Sequence, residues 1–224
     1  MINRDIPSRS SFFIGVDLGQ ANDYTAISII EKRQPITKVS PITRTRFDTY
    51  YYLRHLERPR LGTPYPIIVD RVRDLVRSDQ IRAFDGYYRK EPSLIVDATG
   101  VGRPVVDLFK QVGLRPVAIT ITGGNTVNHI VGGYNVPKRD LITNLQVLFQ
   151  NERLRIAKGL PEGQTFITEL MNFKLKVNVK TGHDTYEAWR EGIHDDLVLS
   201  VAMAAWFADK GKRHIGPVPK PAGW

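Results

Sequence analysis

Apolar and polar positions alternate with different periods along the chain, and the changes of period mark the predicted elements. Ser11–Val16 is aromatic and β-branched without alternation, the pattern of a strand covered on both faces. Leu18–Asp23, rich in Gly and Asn, reads as a turn. Tyr24–Lys32 then reads as the return strand of a hairpin and Lys38–Thr49 as a third strand, an antiparallel meander. Helical spacing predicts helices over Tyr50–Leu56 and Ile67–Phe84, the second with Ile68, Val72, Leu75, Val76 and Ile81 on one stripe. A strand at Ser93–Val96 leads through the turn Asp97-Ala98-Thr99-Gly100 into a helix from Gly102 to Val112. Pro104 suits its first turn and Gly113 its end. After a strand at Arg115–Thr122 comes a glycine-rich loop, Gly123–Tyr134, and a helix at Lys138–Asn151. A short strand (Leu154–Ile156), a helix (Thr165–Phe173), a brief strand (Tyr186–Trp189) and a final helix from Asp195 to Lys210 complete the pattern.

Three meander strands followed by alternating helices and strands make an α/β domain with a mixed sheet. Residues 1–10 read as a disordered lead-in, 11–210 as one domain and 211–224 as a basic tail with three prolines. With 224 residues, 42% hydrophobic and 25% charged, a single well-sized core is expected. Nothing approaches the roughly 20 apolar residues needed to span a bilayer, and the first residues lack a secretory signal pattern, so a cytoplasmic protein is expected. Without cysteine there is no thiolate zinc site and no cysteine nucleophile.

Charge changes the picture further. The chain carries 32 Lys+Arg against 23 Asp+Glu, a net +9, which suits a polyanionic partner. Yet His194-Asp195-Asp196 stands directly before the apolar run Leu197–Phe207, and two aspartates end two separate apolar strands: Asp17 after Phe12–Val16 and Asp97 after Leu94–Val96. Functional groups of such strands collect at their carboxyl ends. If the two strands are neighbours, roughly 4.8 Å apart, their carboxylates can share a cation. A helix N-terminus favours Asp195 and Asp196 by only about 0.3–1 kcal/mol, too little to hold four like charges together. Hard oxygen donors select Mg²⁺ or Mn²⁺ over zinc, and a pair of such ions is suited to phosphodiester hydrolysis. Taken singly, Asp17 and Asp97 could be turn formers and Asp195 a helix N-cap.

Four stretches together resemble one family: Ile14-Gly15-Val16-Asp17-Leu18-Gly19 with Asp23-Tyr24-Thr25-Ala26; Ile95–Gly102; Val136–Leu141; and His194–Leu199. In this order, over residues 12–208, they are similar to the nuclease domain of the large terminase subunit of tailed bacteriophages. The resemblance implies an RNase H-like fold, a central mixed five-stranded sheet flanked by helices. It implies a two-metal endonuclease on double-stranded DNA, with Asp17, Asp97, Asp195 and Asp196 holding Mg²⁺ or Mn²⁺ and Lys138 near the scissile phosphate. It also implies a terminase ATPase, portal and small subunit as partners, in the host cytoplasm. The family's P-loop pattern G-x-x-x-x-G-K-[ST] is missing from this chain, so DNA cutting without packaging is expected of it. Two other readings stay open: a junction-resolving nuclease of the same fold, and an actin-like phosphate-binding domain, whose first phosphate loop Gly15–Gly19 also resembles.

Overall fold

The computed structural model describes residues 8–19, 23–36, 48–84, 89–100, 102–179 and 194–210. The element order is β1 (Ser8–Asp17), β2 (Ala26–Pro35), β3 (Tyr50–Glu57), α1 (Tyr65–Arg77), a 3₁₀ turn (Asp79–Ile81), β4 (Ala83–Phe84), β5 (Arg89–Lys90), β6 (Ser93–Asp97), α2 (Gly102–Gln111), β7 (Pro116–Thr122), β8 (Asn128–Ile130), β9 (Gly133–Pro137), α3 (Lys138–Gln150), β10 (Leu154–Ile156), α4 (Gly163–Val179) and α5 (Asp196–Asp209). β4 and β5 form a small separate pair, and the other eight strands make one sheet in the order β10-β3-β2-β1-β6-β7-β9-β8. β1, β2 and β3 are antiparallel neighbours, whereas β6 lies parallel to β1, β7 to β6 and β9 to β7.

The expected central mixed sheet has five strands, and among the described residues it has eight. Its antiparallel and parallel parts are present as β3-β2-β1-β6-β7, but the third meander strand is Tyr50–Glu57, a segment the periodicity predicts as helix. The additions are short edge pieces: β10 beside β3, and the β9–β8 hairpin beyond β7. That hairpin occupies part of the segment read as a glycine-rich loop. Gly132 makes its turn at φ 80°, and a side chain on Gly133 would collide with the Ala118 carbonyl of β7, so glycine density there encodes a tight strand pairing.

A second correction concerns Tyr50–Leu56, which is strand β3 and not a helix. Tyr51, Leu53 and Leu56 face inward, and the three-residue step from Leu53 to Leu56 imitates a helical period. It arises because Leu53 pairs with Ile30 and His55 with Ile29, leaving Arg54 as the extra residue of a bulge. The helix read as Ile67–Phe84 ends at Arg77, and the Ser78 hydroxyl accepts a bond from the Gln80 amide to start the 3₁₀ turn. β1 begins at Ser8, three residues ahead of expectation. The predicted strands at Lys38–Thr49 and Tyr186–Trp189, like the tail, fall largely or wholly outside the described residues.

Two cores flank the sheet. On one face Ile14, Val16, Leu94 and Val96 pack with Ile68, Val72 and Val76 of α1 and with Val105 and Phe109 of α2. On the other, Phe13, Ile95 and Ile119 meet α3, α4 and α5. α5 is buried from Asp196 to Ala208, the state expected of a helix that is apolar all round. It lies directly on β1: a side chain on Gly15 would come within 2.0 Å of the Ser200 carbonyl oxygen. Glycine at 15 therefore sets how closely the start of α5 approaches the end of β1. Among the described residues no helix is long and apolar enough to cross a membrane.

Candidate active site

Strand alternation aims the first two carboxylates. Asp17 follows Phe13 and Gly15 on the α5 side of β1, and Asp97 follows Ile95 on the same side of β6, because side chains two apart share a face. β1 and β6 are parallel neighbours with Val16 opposite Val96, so both aspartates end at the same edge. The order of strands reverses at β1, since the chain runs outward from it to β2 and β3 on one side and to β6, β7 and β9 on the other. That is where ligands gather in open α/β sheets.

Asp97 is held by its own turn. Its Oδ1 accepts bonds from the Thr99 amide at 2.7 Å and the Thr99 hydroxyl. The Thr99 hydroxyl oxygen in turn accepts from the Ile121 amide at 2.8 Å, and the Ala98 amide donates to the Ile119 carbonyl. The turn is thus stitched to β7. Asp17 is buried, and the Asp97 carboxyl lies close enough to act on it electrostatically. Burial first, then Asp97, Asp196 and Asp195, hold Asp17 well above the ordinary carboxylate range, with Lys138 opposing. Asp97 is also raised by burial, against the bonds from Thr99.

The other two acids arrive from α5. Asp195 occupies the N-cap position but makes no capping bond; instead it pairs with Lys138 at the start of α3, Nζ to Oδ2 2.9 Å. Asp196 is buried, and its Oδ2 has no hydrogen-bond partner. His194 Nδ1 stands 3.7 Å from that oxygen, beyond hydrogen-bond reach. Burial, then Glu169 and Asp195, push Asp196 up to about 7, with Arg58 opposing.

Two residues of this neighbourhood were missed in the sequence. Glu169 of α4 accepts the amides of Leu197 and Val198 at 3.1 and 3.3 Å, so it caps α5 from outside. Arg58, just after β3, is ion-paired with it and lies over the Tyr24 ring. The signal was available: Glu169 is a lone acid on the apolar stripe Phe166, Leu170, Phe173 of its helix.

Donor chemistry suits a hard divalent cation, which would relieve the repulsion at Asp17 and meet the orphaned oxygen of Asp196. Among the described residues no group of three or more Asp, Glu or His side chains is arranged to hold a metal ion. What is present is a set in which Asp97, Asp196 and Asp195 raise the proton affinity of Asp17, and Glu169 and Asp195 that of Asp196. A cation bound there would compete with those protons.

No family model matches this chain, and no curated protein matches it. Among solved structures, the large terminase nuclease from thermophilic phage G20c is 19% identical, with 89% of this chain and 82% of that one covered at a TM-score of 0.51. The human cytomegalovirus terminase nuclease domain is 11% identical, with 94% and 88% covered and a TM-score of 0.44. The likeness to the phage protein, over most of both chains, shows that this chain has the RNase H-like fold of a large terminase nuclease.

Proposed function

We propose that this chain is a metal-dependent endonuclease that hydrolyses phosphodiester bonds of double-stranded DNA, acting as the genome-cutting module of a phage packaging terminase in the host cytoplasm. The observation that carries the reading is the edge at which Asp17, Asp97, Asp195 and Asp196 meet with too few cationic partners, in a chain of net charge +9. Asp17, Asp97 and Asp196 would hold the ions, and Asp195 would complete the set. Mg²⁺ or Mn²⁺ bound there would activate water and neutralise charge developing on the phosphate.

The chain's own residues account for the remainder. Thr99 fixes the Asp97 carboxylate, and Gly15 lets α5 bring Asp196 toward Asp17. Lys138, largely buried against Asp195, supplies positive charge beside the acids and is placed to draw a phosphate oxygen toward them. Binding is to phosphate more than to bases, so cutting is weakly sequence-specific. The ATPase, portal and small terminase subunit are the partners this role requires.

The test is conversion of supercoiled plasmid to nicked and linear forms with Mg²⁺, Mn²⁺ or EDTA, wild type against Asp196→Ala. Cutting that needs metal and is lost in Asp196→Ala supports the reading; metal-independent or unaltered cutting overturns it. Linear duplex set against four-way junction DNA separates the terminase role from junction resolution.

A further inference from the structure

The start of α5 is built in an unusual way. A helix beginning at Asp195-Asp196 has a capping side chain at hand, yet Asp195 makes no capping bond. Glu169 does this from a different helix, with one oxygen, Oε2, receiving both the Leu197 and Val198 amides. Its other oxygen, Oε1, is taken by Arg58. Taking a carboxylate and a guanidinium out of water is costly, and both are largely buried here. A local Asp195 cap would have been cheaper, so capping alone does not explain the pair.

The consequence for the neighbouring acids does explain it. Because the amides of α5 are satisfied from outside, Asp195 is released to Lys138 and Asp196 Oδ2 is left bare. With both oxygens committed, Glu169 is not itself a ligand in this arrangement. Arg58 also lies 4.9 Å from the centroid of the Tyr24 ring, and Tyr24 stacks edge-on against His194 at 5.1 Å. His194 precedes the acidic pair, so the Arg58 contacts close a ring around the backbone that carries Asp195 and Asp196.

We propose that Glu169 and Arg58 are positioning residues, a cap supplied from a neighbouring part of the chain that fixes the first turn of α5 and keeps Asp195 and Asp196 available to a divalent cation. The inference rests on the metal reading above. It differs from that reading in assigning to this pair the affinity and placement of the cation and not the binding of DNA.

The experiment is calorimetric titration of Mn²⁺ into the full chain, alongside DNA-cleavage kinetics. Glu169→Gln should weaken Mn²⁺ binding about 10–100-fold, the usual effect of removing a group that orients a metal ligand, and lower kcat with KM for DNA unchanged. Arg58→Lys, which keeps the charge but not the fork, should fall between Glu169→Gln and wild type. Phe166→Leu, on the same helix and buried in the core, should lower Tm while leaving Mn²⁺ affinity unchanged. Wild-type Mn²⁺ affinity in Glu169→Gln would overturn the proposal. So would a Phe166→Leu protein that loses Mn²⁺ affinity as strongly, since the pair would then be only structural. If Glu169→Gln does not fold, Arg58→Lys decides alone, and unchanged Mn²⁺ affinity in it overturns the proposal. A wild-type chain that binds no Mn²⁺ would sink the metal reading itself, a result distinct from any of these.

Discussion

Two ends of the same strands treat a buried carboxylate in opposite ways. Glu31, on β2 opposite Phe12 of β1, is buried, and four donor bonds reach it. The Ser10 hydroxyl lies at 2.6 Å and Arg33 Nε at 2.7 Å, both on Oε1, while the Arg54 fork lies at 2.8 and 2.6 Å on Oε2. Burial alone would raise its pKa, yet the bonds from Arg33, Ser10 and Arg54 outweigh that and bring it down. At the far end of β1, Asp17 is about as buried but faces other carboxyl groups, and it goes up. Burial is common to both, so burial is not what marks a functional site. The mark is burial left uncompensated, a cost that folding retains only where something outside the chain relieves it.

The comparison can be broken most forcefully at Asp17. Asp17→Asn should lower cleavage by ~10³-fold or more, the scale of several kcal/mol of metal stabilisation, as read by plasmid nicking. In EDTA the same variant should melt ~2–4 °C above wild type, about 1 kcal/mol of relieved repulsion. An Asn variant that cuts normally would remove Asp17 from the site, and one that melts lower in EDTA would show that the carboxyl cluster is not strained.

pH sharpens the contrast next. A carboxyl raised in the folded state contributes most below its unfolded value, and the contribution is lost as pH climbs through the folded value. For Asp196 that window runs from the ordinary 3.8 to about 7. Glu31 has the opposite sign: its contribution is present above the ordinary 4.5 and lost as the solution becomes acid. Between about pH 5 and 8 the metal-free protein should therefore lose stability as pH rises. Mg²⁺ or Mn²⁺ should reverse that slope, since the cation binds deprotonated carboxylates. Thermal melts across this range with EDTA and with Mn²⁺ provide the measurement.

The smallest effect on cleavage is expected at Glu31. Glu31→Gln should cost about 1–3 kcal/mol of stability by turning an amide toward Arg33 or Arg54, with cleavage unchanged where the variant is folded. Chemical denaturation and the plasmid assay together check it, and a loss of cutting in folded Glu31→Gln would erase the distinction between the two ends.

Much of this arrangement is legible locally. Unbroken apolar runs ending in Asp17 and Asp97, and an acidic pair opening the run from Leu197, are patterns of neighbouring residues, and each of these elements forms where the sequence predicts it. The last helix is readable because a segment apolar on every side has no stable place except an interior. β3 was not readable in this way, because a bulge at Arg54 shifts the inward positions by one and produces a spacing that local pattern cannot distinguish from a helix.

What the sequence by itself determined is therefore which segments are buried and where their carboxylates fall. Only the tertiary structure decided which groups meet. Asp195 carried an N-cap reading that its neighbours could not refute, and it lost that role to Glu169, 26 residues away in the chain. Lys138 and Asp195, 57 positions apart, became partners because α3 and α5 start at the same edge of the sheet. Period and composition report how a residue meets water. Hydrogen bonds between distant elements depend on sheet order and on the close approach that Gly15 permits, and neither is written in any one stretch of the chain.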